Sequence, residues 1–207
     1  MEKLDGMDKN SPEFTNLILY GLLPYYKNQY AKRISTFPVF RNIKAFLKGY
    51  DYTEEDWKKI ANMIYTLVKN FQKEPEKIGE WIKEFASNEK YIRNIQSGSI
   101  SPILFCVNDN YPLINNRIRQ TYKEFAIIFN WDDKMSSKIE DYVVSSEQCK
   151  KLIHELQVEE LKDLAVFDVF CYWYDHLRET EADEDTEYEE TEDIKKTVEN
   201  VDYDKFF

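Results

Sequence analysis

The chain has 207 residues, of which 43% are hydrophobic and 15% aromatic, and this is enough to build one packed domain of ordinary size. That composition excludes a wholly disordered chain, and the presence of only five glycines argues against turn-rich β-sandwiches and barrels. The net charge is −11, but residues 179–207 hold 13 acidic and 3 basic side chains. The rest of the chain is therefore close to neutral, and the low isoelectric point says little about its partners.

The N-terminal quarter combines a polar start with a basic segment. Residues 1–11 are polar and predict a flexible leader, and apolar positions then indicate a first helix from Phe14 to Leu23. No Asp or Glu occurs between Phe14 and Tyr50, whereas the basic residues there are Lys27, Lys32, Arg33, Arg41, Lys44 and Lys48. Such a segment is either a solvated helix face or a surface that contacts a polyanion, and the sequence leaves both interpretations open.

The clearest helix follows Thr53, which has the capping-box spacing to Asp56. Apolar residues then recur at spacings of three and four, namely Trp57, Ile60, Ala61, Ile64, Leu67, Val68 and Phe71. Pro75 suits the first turn of the next helix, and residues 91–95 suit a short one. Because no segment shows strand alternation, these patterns predict an all-α, compact multi-helix domain over residues 12–178.

The next segment is predicted as alternating turns and helices. Residues 97–99 indicate a turn, residues 103–107 a short helix begun by Ser101-Pro102, and residues 113–129 a longer helix. Two capping-box spacings, Ser137 with Glu140 and Ser145 with Gln148, predict two further helix starts.

The C-terminal part is apolar first and then acidic. Residues 161–177 are apolar nearly all round, which indicates a central buried helix, and Asp168 within it needs a polar partner. Residues 179–193 form an acidic linker by composition. Residues 194–207 indicate a short amphipathic segment or the start of a further module, so we expect the chain to be a fragment of a longer protein.

The sequence lacks the common catalytic signatures. It contains no glycine-rich phosphate-binding loop, no nucleophile-elbow motif and no C-x-x-C pair. The only two histidines, His154 and His176, do not have the spacing of a zinc site. We expect no catalytic residue, no metal and no cofactor, and therefore a domain that is not an enzyme by itself. Three unevenly spaced cysteines, no secretion signal and no long apolar stretch indicate a cytoplasmic protein without a membrane segment.

One segment resembles a known family. Residues 97–125 read Ser-Gly-Ser-Ile-Ser-Pro-Ile-Leu-Phe-Cys-Val-Asn-Asp-Asn-Tyr-Pro-Leu-Ile-Asn-Asn-Arg-Ile-Arg-Gln-Thr-Tyr-Lys-Glu-Phe. This order resembles part of the N-terminal specificity region of McrB-type AAA+ restriction ATPases and, remotely, the hairpin and helix of helix-hairpin-helix DNA glycosylases. Residues 161–174 resemble the final helix of the same fold. The resemblance implies a DNA-binding domain in a restriction or defence system, with an ATPase module in the same longer chain and a nuclease subunit as partner.

The resemblance also assigns roles to individual positions. The hairpin would comprise Ser97, Gly98 and Ser99, with backbone amides facing a phosphate. The catalytic aspartate of the glycosylases would fall at Asn115, whose amide cannot carry the charge that the reaction needs. The resemblance therefore implies DNA binding, including base-modified duplex, without cleavage.

A polar cluster supports this hypothesis independently of any family. Asn115, Asn116, Arg117 and Arg119 lie near a predicted helix N-terminus and could contact phosphates and base edges. Helix capping and intramolecular ion pairs are the competing interpretation. The sequence thus favours a non-catalytic DNA-binding specificity domain, with a protein-interaction adaptor as the alternative and an active glycosylase or lyase as the least favoured class.

Overall fold

The computed structural model describes residues 2–21, 51–92 and 95–183. Within these ranges the chain is helical and has no β-strand, although one isolated antiparallel bridge joins Gln96 and Lys138. The prediction of an all-α fold is therefore confirmed. The chain divides into two compact units, residues 1–175 and 176–207, and the hydrophobic core lies in the first unit. No helix in the described ranges has both the length and the apolarity needed to cross a bilayer.

The described residues form a series of α-helices, some of which are preceded or extended by a 3₁₀ or π-helical turn. In chain order they are α1 Glu2–Asp5, α2 Pro12–Asn16, α3 Glu54–Lys73, α4 Ile78–Ala86, α5 Glu89–Ile92, α6 Ser97–Val107, α7 Asn116–Ile128, α8 Tyr142–Leu156 and α9 Leu164–Asp183. A π-helical turn, Leu17–Gly21, extends α2, and 3₁₀ turns at Pro75–Lys77, Ile139–Asp141 and Glu159–Lys162 precede α4, α8 and α9. One continuous apolar core contacts most of these elements.

The N-terminal residues differ from the flexible leader that the polar composition predicts. Leu4 on α1 is buried in the core, and Asp5 accepts hydrogen bonds from Lys69 Nζ at 2.7 Å and from the Tyr65 hydroxyl. The Lys69 ammonium is the main reason that the pKa of Asp5 lies below its ordinary value. Helix α1 is therefore held on α3 by hydrogen bonds to residues that are about 60 positions away in the sequence.

Helix α3 confirms the predicted capping box. The Asp56 amide donates to Thr53 Oγ1 at 3.2 Å, and the Thr53 amide donates to Asp56 Oδ2 at 3.0 Å. The other carboxylate oxygen of Asp56 accepts from Lys90 Nζ at 2.6 Å and from the Tyr91 hydroxyl at 2.9 Å. The same side chain therefore caps α3 and fixes α5 against it.

The predicted turn at residues 97–99 is instead the first turn of α6. Ser97 and Ser101 on α6 are fully buried, and their hydroxyls form hydrogen bonds outside the helix. Ser97 Oγ donates to the Lys138 carbonyl at 2.8 Å, and Ser101 Oγ accepts from the Ile114 amide at 2.9 Å. These tertiary bonds satisfy polar groups that otherwise favour turns. The helix accordingly starts at Ser97 rather than at Ser101 and contains Pro102.

Three other predicted helix starts also differ from the structure. Ser137 and Ser145 are not N-caps, because a 3₁₀ turn from Ile139 leads directly into α8 and places Ser145 inside that helix. The Ser145 hydroxyl donates instead to the Ser136 carbonyl at 3.2 Å. Helix α7 begins at Asn116 rather than at residue 113, because Asn115 is its N-cap.

Helix α9 has a solvent face, whereas the sequence predicts a helix that is buried all round. Its core side includes Phe167, Asp168 and Cys171, each fully buried, while Val169 and Trp173 are exposed by 38% and 56%. Asp163 starts the helix, since its Oδ1 accepts from the Ala165 amide at 2.8 Å. Apolar residues therefore occur on the solvent face of this helix as well as on its core face.

Candidate nucleic-acid interface

A basic groove lies between α7 and the loop that follows it. The lining residues are Arg119, Gln120, Lys123, Asp133, Lys134 and Met135, and the groove encloses about 330 Å³. Arg119 and Lys123 are four residues apart and so project from the same side of α7. Lys134 faces them from the loop, so among the described residues three cations and one carboxylate surround a single concave surface.

Arg119 is partly withdrawn from solvent. One guanidinium nitrogen, Nη2, donates to Asn116 Oδ1 at 3.0 Å, which ties the side chain to the first turn of α7. Burial lowers the pKa of Arg119 from its ordinary value, yet an arginine remains cationic throughout the physiological range. The remaining donors of the planar guanidinium suit a bidentate contact with a phosphate.

Hydrogen bonds from two helices hold the beginning of the loop. The Tyr122 hydroxyl on α7 donates to the Asp132 carbonyl at 3.1 Å. Gln148 Nε2 on α8 donates to the Lys134 carbonyl at 3.0 Å and to the Tyr122 hydroxyl at 3.3 Å. The backbone that carries Lys134 is therefore positioned without any ligand.

The end of the same loop is held by α6 and α8. Besides its hydroxyl bond to the Lys138 carbonyl, Ser97 donates its amide to the Ser137 carbonyl at 2.9 Å. Ser145 contributes its bond to the Ser136 carbonyl from α8. Together with the bonds at the beginning of the loop, these contacts make the basic side of the groove a preorganised surface.

The three hairpin residues do not form an exposed phosphate-binding turn. Ser97 and Ser99 are buried, so neither hydroxyl is accessible to a ligand in this conformation. A Cβ placed on Gly98 would lie 3.6 Å from the Ile114 carbonyl oxygen and 3.9 Å from Asn115 Cα. Gly98 thus packs closely on the segment that leads into α7.

The predicted polar cluster divides between two sides of α7. Arg119 lines the groove, and Asn116 accepts a hydrogen bond from it. Asn115 caps α7 and contacts α9, and Arg117 contacts α9. Asn115 Oδ1 accepts from the Ile118 amide at 3.0 Å, and its Nδ2 donates to Asp168 Oδ1 at 2.8 Å. The capping interpretation is therefore confirmed for Asn115.

Arg117 stacks on an aromatic ring of α9 instead of lining the groove. Its guanidinium carbon lies 4.5 Å from the centroid of the Tyr172 ring. Its Nη1 is buried and has no hydrogen-bond partner among the described residues. The contact is a cation–π interaction that secures α7 against α9.

The remaining predicted DNA contacts, Lys27, Lys32, Arg33, Arg41, Lys44 and Lys48, lie outside the described residues. Two of the three basic groove residues, Lys123 and Lys134, are not predicted from the sequence. Lys123 could have been found from its four-residue spacing to Arg119. Lys134 could not, because only the folded loop brings it opposite α7.

The described residues hold few groups suited to covalent or metal chemistry. In the ranges that the structure covers, no cluster of three or more His, Cys, Asp or Glu side chains is arranged to hold a metal ion. Burial raises the pKa of the thiols of Cys149 and Cys171, so both remain protonated at neutral pH. His154 is exposed on α8, and its Nδ1 lies 3.8 Å from Glu155 Oε1.

No protein-family model, no curated protein and no solved structure matches this chain. The functional conclusion therefore depends on the geometry and charge of the groove.

Proposed function

We propose that the protein binds duplex DNA through the basic groove, as a non-catalytic recognition domain. The observation that carries this proposal is the convergence of Arg119, Lys123 and Lys134 on one concave surface. Phosphate contacts from arginine and lysine supply most of the affinity of proteins for nucleic acids. A groove that is already formed in the free chain avoids the entropy cost of ordering the loop upon binding.

The sequence provides two further reasons to favour DNA over other polyanions. The segment without acidic residues from Phe14 to Tyr50 adds six basic residues to the same domain. Residues 97–125 resemble the specificity region of restriction ATPases, which implies a role in a restriction or defence system. We accordingly propose that an ATPase module and a nuclease subunit act with this domain, and that base-modified duplex is among its ligands.

The experiment is fluorescence anisotropy of a labelled duplex titrated with the full chain at about 50 and 200 mM salt. Plain and base-modified duplexes of the same sequence are compared, with the single strand as competitor. We expect binding that weakens steeply with salt, and we expect Lys123→Ala to reduce the slope of log affinity against log salt by about one. Lys162→Ala is the matched control, because this lysine is exposed and pairs with Glu159.

Two results would count against the proposal. Absence of binding to every duplex at low salt would exclude DNA as the ligand of this chain. Equal losses of DNA affinity with Lys123→Ala and Lys162→Ala would show that the DNA contacts a surface other than the groove. A preference for the modified duplex would identify the domain as a reader of modified bases.

A protein-interaction adaptor is the second candidate, and one observation favours it. Apolar side chains are exposed at the end of α7 and along α9, with Ile127, Ile128 and Trp173 exposed by 63%, 68% and 56%. Exposed apolar patches often mark protein interfaces. If no duplex is bound, this candidate becomes the preferred one.

A further inference from the structure

A second groove lies between α3 and α4, on elements that do not contribute to the basic groove. Its floor is apolar and is formed by Met63, Leu67, Trp81 and Phe85. Its polar lining consists of Asn62, Thr66, Asn70, Glu84 and Asn88. The enclosed volume is about 220 Å³, which is smaller than the roughly 300–1,000 Å³ of pockets that enclose a small molecule. A ligand that continues beyond both ends suits it better than an enclosed one.

The polar residues of α3 form a regular row. Asn62, Thr66 and Asn70 are spaced by four residues, so their Cα atoms rise by about 6 Å from one to the next along the helix. The backbone of an extended peptide presents its N–H and C=O groups on one side once every two residues, at intervals of about 6.6–6.8 Å. The row therefore nearly matches the repeat of an extended chain laid along α3.

The hydrogen-bonding capacity of this row is largely unused. Within the described ranges, no hydrogen bond engages the side chains of Thr66, Asn70 or Asn88. Asn62 uses its Nδ2 to donate to the carbonyls of Lys9 at 3.2 Å and Lys58 at 3.0 Å, which leaves its Oδ1 as an acceptor. Because a carboxamide both donates and accepts, such side chains can pair with either group of a peptide unit.

The floor and the charge of the groove indicate what kind of peptide would fit. Trp81 Nε1 donates to the Glu74 carbonyl at 3.0 Å, which fixes the indole as part of the floor. Alternate side chains of an extended peptide would face this floor, so every second residue should be apolar. Glu84 is the only charged residue among the described ones that line the groove, and it favours a Lys or Arg on the bound segment.

We propose that the α3–α4 groove binds an extended peptide segment of a partner protein, with the row of Asn62, Thr66 and Asn70 pairing with its backbone. Main-chain hydrogen bonds would provide affinity, and the apolar floor with Glu84 would provide specificity. This site is separate from the basic groove, and its occupation does not depend on DNA binding.

The probe is a phage-displayed library of random linear peptides selected on the full chain and counter-selected on a Thr66→Ala/Asn70→Ala variant. An enriched peptide is then synthesised and titrated against single variants by fluorescence anisotropy. Each of Thr66→Ala and Asn70→Ala should weaken binding about five-fold, the effect of one lost hydrogen bond. Gln72→Ala is the control, since Gln72 is an exposed amide on α3 that does not line the groove.

The decisive readout is an N-methyl scan of the peptide. Methylation of every second backbone nitrogen should abolish binding, while methylation of the intervening nitrogens should have little effect, because only one edge of the peptide faces α3. Glu84→Lys should weaken a peptide that carries Lys or Arg, and Lys123→Glu should leave peptide binding unchanged.

Enrichment that is equal on the wild type and on the counter-selection variant would overturn the proposal. So would sensitivity to N-methylation without a period of two, which would indicate a helical ligand. Neither result would bear on the DNA titration, so the two proposals can fail independently.

Discussion

Asn115 and Asp168 form a hydrogen bond that joins α7 to α9 across 53 residues of sequence. Asn115 Nδ2 donates to Asp168 Oδ1 at 2.8 Å, and Asp168 is completely buried. The oxygen of the same amide caps α7 through the Ile118 amide. Both ends of the Asn115 side chain are thus occupied within the fold, at the position where the resemblance to DNA glycosylases would place a catalytic aspartate.

Replacing Asn115 with aspartate should destabilise the fold in a pH-dependent way. The introduced carboxylate could still cap α7, but it would then lie within hydrogen-bonding distance of the buried Asp168 carboxylate. We expect Asn115→Asp to lose about 3 kcal/mol of unfolding free energy near pH 7, because two carboxylates at hydrogen-bonding distance repel each other more strongly in a partly buried site than in water. Urea unfolding followed by circular dichroism measures this loss.

The pH dependence of that variant has a defined sign. The coupled pair would retain a proton to a pH above the ordinary value of about 3.9 for aspartate, so the variant should recover stability relative to wild type as the pH falls. The control is Asn116→Asp on the exposed neighbour, with an expected change within about 0.5 kcal/mol. Losses of equal size for the two variants at all pH values would contradict the buried contact.

Asp56 should make folding sensitive to acid. The Lys90 ammonium, and then the Thr53 amide and hydroxyl and the Tyr91 hydroxyl, hold the pKa of this carboxyl far below its usual range. The stability that it contributes is therefore present above the unfolded value of about 3.9 and is lost as the pH falls toward the folded value.

The measurement compares wild type with Asp56→Asn in urea at several pH values. The difference in unfolding free energy should be constant above about pH 5 and should shrink below about pH 4. Asp109→Asn, in the exposed turn after α6, should leave the curve unchanged. A difference for Asp56→Asn that does not vary with pH would show that charge is not the source of the stabilisation.

Gln148→Ala tests whether the loop that carries Lys134 must be held in place for DNA binding. This change removes the bonds to the Lys134 carbonyl and to the Tyr122 hydroxyl but no charge. If the basic groove binds DNA, affinity should fall about three-fold while the salt dependence stays the same, because the number of phosphate contacts does not change. The duplex titration at two salt concentrations distinguishes this from Lys123→Ala, and a changed slope for Gln148→Ala would refute the role assigned to the loop bonds.

Gly79→Ala should stabilise the domain. Gly79 is an exposed residue within α4, and an added Cβ would lie 3.8 Å from Val143 Cγ2, an ordinary contact. Because glycine loses more backbone entropy than alanine in a helix, we expect a gain of about 0.5–1 kcal/mol. Thermal unfolding provides the measurement, and a lower melting temperature would mean that α4 and α8 cannot accommodate the methyl group.

Helix α3 could be predicted from the sequence, whereas the start of α6 could not. The cap of α3 joins Thr53 to Asp56, and the apolar residues that follow recur with the helical period, so both signals lie within a few residues. At α6, the hydroxyls of Ser97 and Ser101 bind the backbone at Lys138 and Ile114. Without those distant partners, the same serines indicate a turn.

The candidate DNA site likewise contains some residues that the sequence can predict and one that it cannot. The place of Arg119 near a helix start predicts its role, and Lys123 follows from the helical repeat. Lys134 joins them only because Tyr122 and Gln148 hold its loop beside α7. The sequence by itself determined the all-α class and the periodicity of α3, because helix formation depends on contacts between residues three and four apart. Only the tertiary structure decided which polar residues are buried as partners and which line a groove, because that choice depends on contacts between segments far apart in the chain.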